Sequence, residues 1–214
     1  MIYFIYGIDP TTNFLQNIID TLEINNIRVD VIRCNSNQDS YNETIDRIKL
    51  IPDGATVIFL GHGKSDQLYG GQDSNLERRS LINIKGMSIL RGKKLLAIAC
   101  DSANLIKSSM KLSGLVKAIG FKELPTEMNE VVDNKRLVDQ GISIEDINDY
   151  KNIIVTTIAK SLVCYSRDGG NNFYLLYDYI ELLINKEINT SVIKKRNARL
   201  AKLLYQMKAD MVLF

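Results

Sequence analysis

The chain carries one histidine and three cysteines in 214 residues, so few side chains could act as a nucleophile or a base near neutral pH. His62 is the histidine, set between Gly61 and Gly63 directly after the apolar run from Thr56 to Leu60. A histidine that ends a buried parallel strand stands in the crevice at the sheet's carboxyl edge. Its glycine neighbours leave room for a substrate backbone and keep the Gly63 N–H unobstructed. Cys100 ends a second apolar run, Leu95 to Ala99, and Asp101-Ser102 after it opens a helix. A thiol at a helix N-terminus feels the positive end of the dipole and unpaired amides, which favour the thiolate. Each motif by itself is ordinary, because loop histidines sit between turn glycines and buried cysteines end strands. Together they make a different statement: a base and a nucleophile at neighbouring strand ends emerge side by side, as acyl transfer requires.

The elements that must position this pair are legible in outline. Ile2 to Tyr6 reads as a strand, followed by the Asp9-Pro10 turn and a helix through Phe14, Leu15, Ile18, Ile19 and Leu22. Ile27 to Arg33 alternates as an outer strand, and Ile45 to Leu50 closes a helix before the Pro52-Asp53-Gly54 turn. Thr56 to Leu60 and Leu95 to Ala99 are continuous apolar strands, which suit a parallel sheet covered on both faces. A helix through Leu105, Met110 and Leu112 leads to a third buried run at Leu115 to Phe121. Strands alternating with helices predict an α/β, doubly wound sheet.

The expected organisation is one domain: a catalytic α/β core over residues 1–121, an excursion over 122–152 with one or two short helices, and a helical part over 153–214. Within the last part, 153–165 and 173–184 are expected as helices. Ser191 to Lys208 reads as one basic amphipathic helix and Met211 to Phe214 as an edge strand.

Two signatures, a hydrophobic strand ending in His-Gly and another ending in Ala-Cys, here Leu60-Gly61-His62-Gly63 and Ala99-Cys100, resemble those of caspase-like cysteine peptidases, particularly the bacterial CHAT-domain branch. The likeness is strongest over 56–121, continues through Ala118-Ile119-Gly120-Phe121 and Leu124-Pro125-Thr126, and is weak in the tail. It implies a three-layer caspase-like fold in which Cys100 is the nucleophile, His62 the general acid/base, and the amides of Gly63 and Cys100 the oxyanion hole. It also implies a protein or peptide substrate bound at Gly61, Ile98 and Phe121, with an activating partner in bacterial signalling or defence, no cofactor, no metal and no third acid. Relatives carry Gln, Glu or Asp where this chain has Ile98, so no preference for Asp, Arg or Lys at P1 carries over. Asp66, Asp73 and Glu127 could supply an acidic charge to the substrate pocket, although carboxylates of this kind are more often solvated surface residues.

Composition narrows the alternatives. Lys and Arg number 27 against 25 Asp and Glu, a net charge of +2 that gives little pull on nucleic acid or anionic lipid. The apolar start at Ile2 to Tyr6 is too short for a signal peptide or a span, so a cytoplasmic location is expected. Cys34, Cys100 and Cys164 are odd in number and lack a CxxC pair, which predicts reduced thiols and no zinc site. A phosphatase loop would need Arg where Ile106 stands, and amidotransferases and α/β-hydrolases need a histidine after the nucleophile. Two rivals stay open: an inactive caspase-like scaffold that binds a partner, and a flavodoxin-like nucleotide binder using Gly61 to Gly63 with Lys64-Ser65.

Overall fold

The computed structural model describes residues 1–73, 78–133, 135–138 and 140–214. Nine strands are described: β1 (Ile2–Gly7), β2 (Val29–Cys34), β3 (Thr56–Leu60), β4 (Gly63–Lys64), β5 (Gln67–Tyr69), β6 (Ser80–Asn83), β7 (Lys94–Ile98), β8 (Lys117–Phe121) and β9 (Met211–Leu213). Six of them form one sheet in the order β2-β1-β3-β7-β8-β9, parallel except for β9, which runs antiparallel to β8. The chain winds outward from β1 to β2, then back across β3, β7 and β8. This reversal opens a crevice at the carboxyl ends of β1 and β3.

Burial explains why these runs are strands. Every residue of β3 and the last four of β7 are buried, as expected of central parallel strands covered on both faces. Alternate positions, including Val57, Phe59, Leu95, Ala97 and Ala118, join one core with Ile48 of α2 (Gln38–Lys49) and with Leu105 and Ile106 of α3 (Ser102–Ser113). The intervening Ile58, Leu60, Leu96, Ile98 and Ile119 are buried as well. Ahead of these two helices, α1 (Gln16–Ile24) buries Ile18, Ile19 and Leu22. Asn37 caps α2 by accepting the Ser40 N–H, and Gly114 ends α3 in the left-handed conformation.

The chain divides into two compact units, 1–122 with 211–214, and 123–210. The second unit holds α4 (Met128–Asp133), α5 (Lys135–Val138), α6 (Ile144–Arg167), α7 (Phe173–Ile193) and α8 (Ala198–Asp210), with α7 packed on both α6 and α8. A capping box between Ser143 and Asp146 starts α6. Asp146 also accepts hydrogen bonds from Asn197 at 2.7 Å and Arg199 at 2.8 Å, which ties the entry of α8 to that of α6.

Two expectations need correction, and one sheet was not foreseen. The helix expected over 191–208 is interrupted, because Arg196 takes a left-handed φ of 50° and the Asn197 side chain caps a new start by accepting the Leu200 N–H. The strand expected at Ile27 to Arg33 runs instead over Val29–Cys34. The small antiparallel sheet β4-β5-β6 was not anticipated, since its strands are too short and polar to alternate. No described helix is long and apolar enough to cross a membrane.

Candidate functional site

His62 and Cys100 leave adjacent strands. Leu60 pairs with Ile98, and the Gly61 N–H bonds to the Ile98 carbonyl at 3.3 Å, so the β3–β7 pairing continues one step beyond β3. Each of the two residues lies two positions past that pair, at neighbouring strand ends. Gly61 turns the chain there with φ +152°, a conformation side chains disfavour. Gly63 then passes close to the other strand end. A Cβ on Gly63 would lie 2.6 Å from the Cys100 carbonyl oxygen and 3.0 Å from the Ala99 Cβ, so this position takes glycine because the two backbones approach.

The hairpin after His62 also aims an amide. Tyr69 N–H donates to the His62 carbonyl at 3.0 Å, a ladder bond just outside the Gly63–Leu68 pair. That pair is then the non-hydrogen-bonded kind, and the Gly63 N–H points away from β5.

Cys100 is half-buried, and Asp101 beside it is the N-cap of α3, with φ 55° and no side-chain capping bond. Asp tolerates the left-handed region better than most residues, yet this is still an uncommon backbone next to a thiol. The strand ends around it are fastened. Asp101 N–H donates to the Lys122 carbonyl at 2.6 Å. The fully buried Ser102 hydroxyl accepts the Phe121 N–H at 2.9 Å and donates to the Ala99 carbonyl at 2.8 Å.

His62 is held by residues from the loop after β1. Its Nε2 lies 2.7 Å from the Thr11 hydroxyl and 3.6 Å from Asp9 Oδ1. Asp9, only 3% exposed, accepts both the Thr11 N–H at 2.8 Å and the Thr11 hydroxyl at 2.7 Å, and Arg78 reaches its other oxygen at 3.5 Å. Arg78 lies over the Tyr69 ring and donates through Nε to Gln72. Burial and, after it, the Arg78 charge hold the His62 imidazole below its ordinary value of 6.5, with Asp9 pulling the other way. Burial raises the Asp9 carboxyl, but the two Thr11 hydrogen bonds, then His62 and Arg78, outweigh it and keep the group below 3.8. The ring is therefore neutral and the carboxylate ionised near neutral pH.

Among the expected substrate contacts, Gly61 is buried, Ile98 is 3% exposed and Phe121 is wholly buried. In this conformation the Ile98 and Phe121 side chains are packed inside and offer almost no surface to a substrate. Lys64 belongs to β4, and Ser65-Asp66 is the hairpin turn after it. Asp73 accepts from the Ser36 hydroxyl. Glu127 belongs to the second unit, where its N–H donates to Glu130. Among the described residues no group of three or more His, Cys, Asp or Glu could hold a metal ion. Asp9, Thr11 and Arg78 were missed in the sequence. For Asp9 and Thr11 the available signal was the carboxyl-end rule, which applies to β1 as it does to β3 and β7.

Comparison with protein-family models, curated proteins and solved structures finds no match. The functional reading therefore rests on the chemistry of these residues.

Proposed function

We propose that this protein is a cysteine endopeptidase with a caspase-like three-layer fold, in which Cys100 attacks the scissile carbonyl and His62 is the general acid/base. One observation carries the reading: the sole histidine and a half-buried cysteine at a helix start leave paired parallel strands, with the Gly63 N–H turned away from its own ladder. The thiol passes its proton to the imidazole as sulfur bonds to the carbonyl carbon. The amides of Gly63 and Cys100 stabilise the oxyanion, each worth about 3 kcal/mol of barrier. The imidazolium then protonates the leaving amine, and water attacks the thioester to restore the thiol. Proton transfer through His62 contributes roughly 10² to 10⁴ in rate.

Ile98 and Phe121 serve the substrate groove from beneath, by fixing the backbone at the strand ends, while loops supply its walls. The protein acts in the cytoplasm on a protein or peptide substrate, switched on by a partner protein in bacterial signalling or defence. The nucleotide-binding alternative is disfavoured because a phosphate loop delivers its glycines to a helix N-terminus, whereas Gly61 to Gly63 lead into the β4–β5 hairpin. The test is digestion of a diverse peptide library by the wild type and by Cys100→Ala. Cleavage by the wild type that disappears in the variant is the expected result. Identical peptide profiles from the two proteins would refute the proposal.

A further inference from the structure

The Thr11 hydroxyl has a single hydrogen to give. The ionised Asp9 carboxylate, 2.7 Å away, can only accept, so that hydrogen points to Asp9. Toward His62 Nε2, also at 2.7 Å, the Thr11 oxygen offers only a lone pair, and Nε2 must be the donor. A neutral imidazole with its hydrogen on Nε2 leaves Nδ1 as the base. We infer that Asp9, acting through Thr11, is the positioning carboxylate of His62: it fixes the Nε2–H tautomer and leaves Nδ1 to exchange a proton with Cys100. That last role rests on the peptidase reading; the tautomer does not.

The rest of the loop is built to hold this arrangement. A buried carboxylate is costly without partners, and Asp9 has them from three directions: Thr11, Arg78 and the His62 ring. The Tyr6 hydroxyl, itself buried, donates to the Thr12 carbonyl at 3.3 Å and pins the segment. On either side of the loop's start, Ile8 N–H bonds to the Cys34 carbonyl and Gln72 N–H to the Ile8 carbonyl, each at 2.9 Å. The groups that act on the ring are Asp9 and Thr11 from the loop after β1 and Arg78 from the segment before β6, while Cys100 leaves the end of the neighbouring strand β7. When Nδ1 takes the thiol proton, the Nε2 hydrogen stays on the ring and points at the Thr11 oxygen, and the hydroxyl hydrogen stays on Thr11 and points at Asp9. No proton travels along the chain, and the carboxylate offsets the imidazolium charge.

His62 is the only histidine, so long-range ¹H–¹⁵N correlation spectra of the intact ¹⁵N-labelled protein read this ring without overlap. The wild type, above its imidazole titration, is expected to carry the hydrogen on Nε2. Thr11→Ser should keep that tautomer and Thr11→Val should lose it. Asp9→Asn should lower the imidazole pKa by about one unit or more, because an opposite charge is removed. A wild-type hydrogen on Nδ1 would overturn the inference even if no variant folded, as would an unchanged tautomer in Thr11→Val together with an unchanged pKa in Asp9→Asn. No substrate enters the measurement. An inert Cys100 would thus defeat the peptidase proposal and leave this one standing.

Discussion

The side chain proposed as the general acid/base, His62, also bears on stability. Its pKa is depressed mainly by burial and then by Arg78, so below pH 6.5 the unfolded chain binds a proton that the folded chain refuses. Stability from this group is complete above 6.5 and is lost as pH falls from 6.5 through the lower folded value. Asp9 and Asp146 also have depressed values, but they start from 3.8, and their contribution is lost only below that pH. Denaturant midpoints measured against pH are expected to show two separate acid limbs. In His62→Gln the limb that begins below 6.5 should vanish while the one below 3.8 remains. Equal slopes in both proteins between pH 6 and 4 would contradict the assignment of that limb to His62, with those bounds taken as roughly the span between the two ordinary values.

At the scale of elements, the site depends on how closely β3 and β7 bring their exits together. Parallel pairing sets the lateral spacing, and Gly63 sets the final approach, since any Cβ there meets the Cys100 carbonyl oxygen at 2.6 Å. That neighbour is backbone and cannot swing aside. Gly63→Ala should therefore separate the histidine exit from the cysteine exit and cost about 1–3 kcal/mol of stability through overpacking. A displacement of about 1 Å at a reacting centre lowers turnover roughly 10²-fold, and the loss should appear in kcat more than in KM. Steady-state kinetics of Gly63→Ala on a cleaved peptide, with folding checked by circular dichroism, measures this. An unchanged kcat in a folded variant would mean that the Gly63 backbone does not set the reacting geometry.

For the whole molecule, the sequence disclosed what periodicity and burial dictate and hid what tertiary contact decides. The apolar runs at Thr56–Leu60 and Leu95 to Ala99 announced central strands with His62 and Cys100 at their ends, and the structure has both strands in the main sheet. The β4-β5-β6 sheet escaped notice because Gly63–Lys64 and Gln67–Tyr69 are too short to show a period. Asp9 and Thr11 escaped notice because their role depends on β1 lying beside β3, a pairing across more than fifty residues that no local pattern encodes. The break at Arg196 and Asn197 likewise follows from a cap and a link to Asp146 rather than from composition.

The three thiols sample three environments, Cys34 buried, Cys100 half-buried and Cys164 exposed, and so provide their own controls. Exposure alone ranks Cys164 first toward a small electrophile. Activation by a helix N-terminus and His62 ranks Cys100 first. Site-resolved mass spectrometry of brief alkylation near neutral pH decides between these orders. The account predicts fastest modification at Cys100 in the wild type, falling behind Cys164 in His62→Gln. Modification of Cys164 ahead of Cys100 in the folded wild type, or a Cys100 rate indifferent to His62, would contradict it.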